Sequence, residues 1–231
     1  MFLYELHQHT AACSKCASIT PEEVVISVKQ RGFSGVVVTN HFYHGNTAVD
    51  RNLSWADFCK AYEDDYYAIK AEGEKIGIDV LYGIEEAVDP GKEVLLYGLE
   101  PDYIGRFSEL KQLDFSHLSE VVRSGGGLVI QAHPFRVRDY IPDPDALLDM
   151  TCLDGYEVYN KHNPPEENEK ALRLAERTGL IMTAGTDNHS FNGEERFGIA
   201  VENRIKTEKD LAKVLVSREY DLFCGHGLCE I

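Results

Sequence analysis

The sequence has no apolar run approaching the ~18 residues that a membrane-spanning helix requires, so no part of its 231 residues is expected to cross a bilayer. Basic side chains are also scarce: Lys and Arg total 23 against 39 Asp and Glu, a formal charge of −16. A surface this acidic repels polyanions, which argues against nucleic acid as a partner. A small phosphorylated substrate stays open, because bound cations reverse the potential locally. The first residues, Met1 to Glu5, lack the basic stretch and cleavage pattern of a secretory leader, and a cytoplasmic location is the expectation. Internal repeats, low-complexity tracts and linkers are missing too, so residues 1–231 read as one domain. There are only six cysteines. Cys13 and Cys16 have the spacing of a zinc knuckle, but Cys224 and Cys229 are spaced too loosely to complete one. In a reducing compartment all six are expected to be free thiols.

What is present is an alternation of strands and helices, with 43% hydrophobic residues to bury between them. Strands are expected at 2–6, 35–39, 79–84, 93–97, 128–131, 155–159, 180–183 and 199–201, each a short apolar or β-branched run bounded by turn residues. Thr20, Pro21, Glu22 and Glu23 make a helix start, and Gly32 closes that helix near Arg31. Further helices are expected over 54–75, 116–123, 165–178 and 207–218. Asp89, Pro90, Gly91 and Lys92 form a turn. About seven βα units without a long break favour a parallel α/β barrel.

In such barrels chemistry sits on loops at the carboxyl ends of the strands. Here those ends carry His7 and His9, His41, Glu85, His133, and Asp187 with His189. Imidazole and carboxylate are the ligands of zinc, iron and manganese. His7 and His9 are two apart on an extended segment, so both can face one ion. Glu85 has two oxygens and can bridge two ions. Asp187 and His189 repeat the two-residue spacing. A lone histidine is more often a hydrogen-bonded structural residue, and His117 and His226 are read that way. Seven ligand-type residues at the ends of five strands point instead to a metal centre.

Five segments, His7–Thr10, Thr39–His41, Gly83–Glu85, Ala132–Pro134 and Gly185–His189, together resemble the PHP (polymerase and histidinol phosphatase) family, in that family's order. The resemblance spans positions 7 to 189. It implies a distorted (β/α)7 TIM-like barrel with one to three divalent metals (Zn, Mn or Fe) at the strand ends. It further implies a metal-dependent phosphoesterase of the stand-alone type. A first metal would be held by His7, His9, Glu85 and Asp187. A second would share Glu85 and use His133, and a third would use His41 and His189. The chain departs from the family in three places. Leu95 stands where a further histidine is usual, Lys15 or Cys16 where an Asp or His is usual, and Asn40 where Asp is common. Glu86, Glu93, Cys16 or water are the candidates to fill the gaps.

The chemistry that follows is hydrolysis of small phosphate monoesters by metal-activated water. His189 and His162 are the candidate proton donors, and Arg136 and Lys161 the candidate substrate-binding residues. An amidohydrolase cleaving a C–N bond is the rival reading, since it too uses a His-x-His and a late Asp. A non-enzymatic metal-binding module with a degraded site is the other.

Overall fold

The computed structural model describes residues 1–191, 195–225 and 227–229. Ten strands form one curled mixed sheet: β1 (Phe2–Gln8), β2 (Gly35–Val38), β3 (Asp79–Asp89), β4 (Lys92–Tyr97), β5 (Leu128–Gln131), β6 (Gly155–Asn160), β7 (Ile181–Gly185), β8 (Arg196–Val201), β9 (Asp221–Gly225) and β10 (Gly227–Leu228). Their order is β10-β9-β8-β1-β2-β3-β4-β5-β6-β7. Five helices cover it: α1 (Pro21–Gln30), α2 (Trp55–Ile76), α3 (Phe115–Ser124), α4 (Pro165–Thr178) and α5 (Glu208–Ser217). The expected elements are all there. At the start of α1, Thr20 and Glu23 cap each other's backbone reciprocally, which satisfies two N–H groups that the first turn leaves open. The longest helix, α2, begins on a Ser54 cap and ends at Gly77 in the left-handed region, where glycine carries no Cβ penalty. None of the described helices is long and apolar enough to cross a membrane.

The seven-unit parallel reading needs correction. Strands β1, β2 and β3 are parallel, as are β5, β6 and β7, but β4 is antiparallel to both β3 and β5. The cause is the two-residue turn Pro90–Gly91, which is too short for a crossover and can only return the chain as a hairpin. Strand β8 is antiparallel to β1, and β9 and β10 extend the sheet beyond it. The free-thiol expectation is also corrected for one pair. Cys224 and Cys229 form a disulfide across the β9–β10 hairpin, whose geometry brings their Cα atoms to 5.4 Å. Cys13, Cys16, Cys59 and Cys152 are free.

Strand β7 ends the ladder order, yet it lies beside β1. The seam between them is closed by local contacts. Gln8 and Asn188 form an isolated bridge, and the Thr186 amide and hydroxyl donate to the buried Glu5 carboxylate at 2.8 and 2.5 Å. Gly185 makes this approach possible, because a Cβ there would overlap the His7 side chain and sit 2.7 Å from Glu157 Oε1.

Candidate metal centre

Side chains alternate along a strand, so Glu5 and His7 share the inner face of β1 and His9 follows them just past its end, and all three are fully buried. Glu85 is not at a strand end as expected. It lies inside β3, which runs on for four residues into the hairpin with β4. His41 follows β2 and bridges to Glu85. His133 follows β5 at φ 29°, and Asp187 follows β7 at φ 53°. Both residues hold left-handed backbone that is sparsely populated outside glycine, and such strain gathers at functional sites.

These residues converge. His7 Nε2 lies 3.2 Å from Glu85 Oε1 and 3.4 Å from Asp187 Oδ1. His9 Nε2 is 3.3 Å from Glu85 Oε2 and 3.1 Å from Asp187 Oδ1. The two Nε2 atoms face each other at 3.1 Å. His133 Nε2 meets Glu85 Oε1 at 3.1 Å, and His41 Nδ1 meets Glu85 Oε2 at 2.8 Å. His189 stacks on His9 with ring centroids 4.2 Å apart. One carboxylate therefore touches four imidazoles. Buried polar groups are normally hydrogen-bonded, but His41 Nδ1 and Glu85 Oε2, although 2.8 Å apart, meet at an angle that makes no hydrogen bond, and neither has another hydrogen-bond partner among the described residues. Lone pairs aimed at a common point, with orphaned buried atoms among them, are what a divalent cation completes. Three groups of ligand atoms meet this description around Glu85 and Asp187: His7, His9 and Glu85; His7, His133 and Asp187; and His41, Glu85 and Glu93. A fourth is His9, His41 and His189.

The charges respond accordingly. Burial would lower the pKa of His7, but the Asp187, Glu157 and Glu85 carboxylates hold it well above its ordinary value. Burial would raise Glu85 and Asp187, yet His7 together with His41 or Arg136 holds both well below the usual carboxylate range. His9 goes the other way, pushed well down by burial and by His41.

The tautomers are set from behind. His7 Nδ1 pairs with Glu157 Oε1 at 2.9 Å. His189 Nδ1 pairs with the Asp187 carbonyl at 2.7 Å. His9 Nδ1 pairs with Ser14 Oγ at 3.0 Å, Ser14 donates to Asn40 Oδ1 at 3.0 Å, and Asn40 Nδ2 donates to Asp65 Oδ2 at 2.9 Å. Each ring thus keeps Nε2 for the centre. The sequence reading missed Glu157, Ser14 and Asp65. Glu157 carried a signal: an acid in the middle of the apolar strand β6, on its buried face. Ser14→Ala is expected to weaken metal affinity ~10–100-fold, the usual cost of losing such a partner, with little change in folding. Calorimetric titration with Mn²⁺ checks it.

A cavity of about 510 Å³ opens above the centre, lined in part by Cys16, His41, Glu93, Arg136, Tyr140 and His189. Burial raises the Cys16 thiol, but its hydrogen bonds with His189 and His41 bring it down to about 6. Arg136 reaches the cavity, but much of its guanidinium is committed. Nη2 donates to Asp187 Oδ2 at 2.6 Å and to Asn160 at 2.9 Å, and Nε donates to Asn163 at 3.1 Å. It therefore holds a candidate metal ligand as well as facing the substrate space. Lys161 and His162 do not line the cavity. Lys161 Nζ is 3.6 Å from Glu195, and the His162 ring is 6.4 Å from that of His189. His117 stands exposed beside Glu109 and Glu120 on and before α3, where the sequence reading expects a hydrogen-bonded structural histidine. His226 lies outside the described residues.

No protein-family model matches the chain, and no curated protein matches it. Solved structures do. A two-domain protein from Bacteroides vulgatus, described as containing a PHP-like metal-dependent phosphoesterase, superposes with a TM-score of 0.69 at 19% identity over 98% of this chain and 66% of its own length. The lesion-specific endonuclease PfuEndoQ from Pyrococcus furiosus gives 0.58 at 14% identity, covering 96% of this chain and 57% of its own. An amidohydrolase from Chromobacterium violaceum, bound to sulfate, gives 0.55 at 14% identity, covering 81% of this chain and 87% of its own. The chain thus shares the fold of a PHP-like phosphoesterase, and spans just under two thirds of the length of that protein. The same fold in an endonuclease removes support for the expectation that nucleic acid is no partner.

Proposed function

We propose that the chain is a metal-dependent phosphoesterase that hydrolyses small phosphate monoesters. The observation that carries this reading is the convergence of four imidazoles on the buried carboxylate of Glu85, with Asp187 beside it, at the floor of an open cavity. His7, His9, Glu85 and Asp187 would hold a first divalent cation, with His41, His133 and His189 around it. Such a cation supplies Lewis-acid polarisation of a phosphoryl oxygen and ionises water near neutral pH.

The remaining work belongs to the chain. Arg136 offers positive charge to the phosphoryl group while Asn160 and Asn163 fix its guanidinium. His189 has its Nδ1 tied to the Asp187 carbonyl, which leaves Nε2 to hold a cation or to give a proton to the leaving group. His162 would stand behind it as a second donor, and Lys161 as a peripheral charge. A volume of about 510 Å³ lies in the range of small-ligand pockets, ~300–1,000 Å³. The charge of −16 disfavours long polyanions. The cavity volume suits a metabolite-sized ester, while the endonuclease of the same fold keeps a duplex as the alternative to be tested.

The test is phosphate release from a monoester panel by Mn²⁺- or Zn²⁺-loaded protein, with a cyclic amide and a lesion-bearing duplex alongside. Release from several monoesters, abolished by a chelator and restored by metal, is the expected result. Turnover of the amide or the duplex alone would move the reading to an amidohydrolase or a nuclease.

A further inference from the structure

Leu95 stands where the resemblance would put a histidine, and it cannot reach a metal. It is fully buried on β4, paired opposite Glu85. Because β4 runs antiparallel to β3, its beginning rather than its end lies at the metal centre. Glu93, two residues earlier, shares the face of Leu95 and pairs with Ala87 in the hairpin. Its carboxylate, like that of Glu85, lines the cavity. Oε1 is 3.5 Å from His41 Nδ1 and Oε2 is 3.5 Å from His133 Nε2. One ligand atom each from His41, Glu85 and Glu93 falls within 4.8 Å of the others. Two of those residues contribute buried atoms that make no hydrogen bond among the described residues, His41 Nδ1 and Glu85 Oε2, which face each other at 2.8 Å in an ion-pair contact.

From this we infer that Glu93 is a ligand of a second divalent cation, held with His41, Glu85 and His133, and takes over from β4 the place that Leu95 cannot fill. The inference rests on the metal-centre reading above and deepens it. Glu85 is then shared, with His7, His9 and Asp187 completing one position and Glu93, His41 and His133 the other. Two ions sharing a carboxylate in this way form a pair that can hold attacking and leaving oxygens together. The second position carries two carboxylates, ligands that suit Mn²⁺ better than an all-imidazole set would.

The experiment is metal counting and electron paramagnetic resonance on the full chain loaded with Mn²⁺, for wild type, Glu93→Gln and Glu93→Asp. Thermal melting of each metal-free protein checks the fold. Wild type is expected to show the multiline signal of two interacting Mn²⁺ ions. Glu93→Gln should hold one ion fewer and lose that signal while keeping the tight first ion. Glu93→Asp, which keeps the charge on a shorter arm, should hold the second ion ~10-fold or more less tightly. The inference is overturned if Glu93→Gln keeps the wild-type ion count and signal, or if wild type binds a single ion that Glu93→Gln binds equally well. Wild type binding no ion at all would overturn the metal-centre reading itself, which separates the two failures.

Discussion

Asp187→Asn is expected to lower kcat/KM for phosphate release roughly 10³-fold, about 4 kcal/mol of barrier, with the protein still folded. Asparagine is among the few residues that accept left-handed backbone, so the φ of 53° at this position adds no strain. What is lost is charge. Asp187 Oδ1 faces His7 and His9, and Oδ2 takes the Arg136 donor. The amide can still accept from Arg136 but leaves that buried guanidinium without its counter-ion, the costly way to break such a pair. Metal content measured with activity distinguishes lost ligation from misfolding, and wild-type activity at wild-type occupancy would show the site to be wrong. The same titration has a pH signature. His7 is held well above its ordinary pKa, so in the metal-free protein it carries a proton that an incoming cation must displace. Wild-type affinity should therefore rise with pH, up to ~10-fold per unit for each proton released while His7 remains protonated. Uptake at pH 6 should be weaker than at pH 8. A flat profile would mean that His7 is not a ligand.

Glu85→Gln should be still more damaging, because Asp187 serves one proposed position and Glu85 serves both. Four imidazoles lie within 3.3 Å of its oxygens. Removing the charge takes away the anion that helps hold protons on His7 and His41 in the metal-free state. It also takes away the shared ligand in the loaded one. The expected result is at least two fewer ions than wild type and activity at or below that of Asp187→Asn, roughly 10³-fold down or more. Retention of one tightly held ion by Glu85→Gln would mean that the carboxylate belongs to a single position.

Most elements and the candidate ligands were legible in the sequence because each carried a local signal. Thr20, Pro21 and Glu23 announce α1, and His-x-His on an alternating strand declares its own facing. The antiparallel turn of β4 was legible too, in Pro90–Gly91, but was outweighed by the regular alternation of the other units. The supporting residues were not legible. Glu157, Ser14 and Asp65 come from β6, a loop and α2, and nothing in their spacing says that they meet His7, His9 and Asn40. Here Asn40 itself carries no charge, and the acid behind it is supplied from α2 by Asp65. Arg136 was legible as a charge near the site but not as a donor to Asp187, because that depends on side-chain reach across β5 and β7. The β9–β10 hairpin and its disulfide follow an unremarkable short run after Arg218, and only the pairing of Phe223 with Leu228 and Cys224 with Gly227 reveals them.

The seam between β1 and β7 gives the centre a second meaning. His7 and His9 stand on one lip, Asp187 and His189 on the other, and between the lips there is a bridge at Gln8–Asn188 in place of a continuous ladder. An ion bound across that gap would be a rivet between the two edges of the curled sheet. Binding the closed sheet and not the open chain, it would make its free concentration set how firmly the edges stay together, by ~4 kcal/mol at a thousandfold excess over its dissociation constant. Metal supply would thereby set the stability of the closed sheet through His7, His9 and Asp187, three of the side chains proposed to perform the chemistry, and the amides of Asn188 and Thr186 are where hydrogen exchange would register it first.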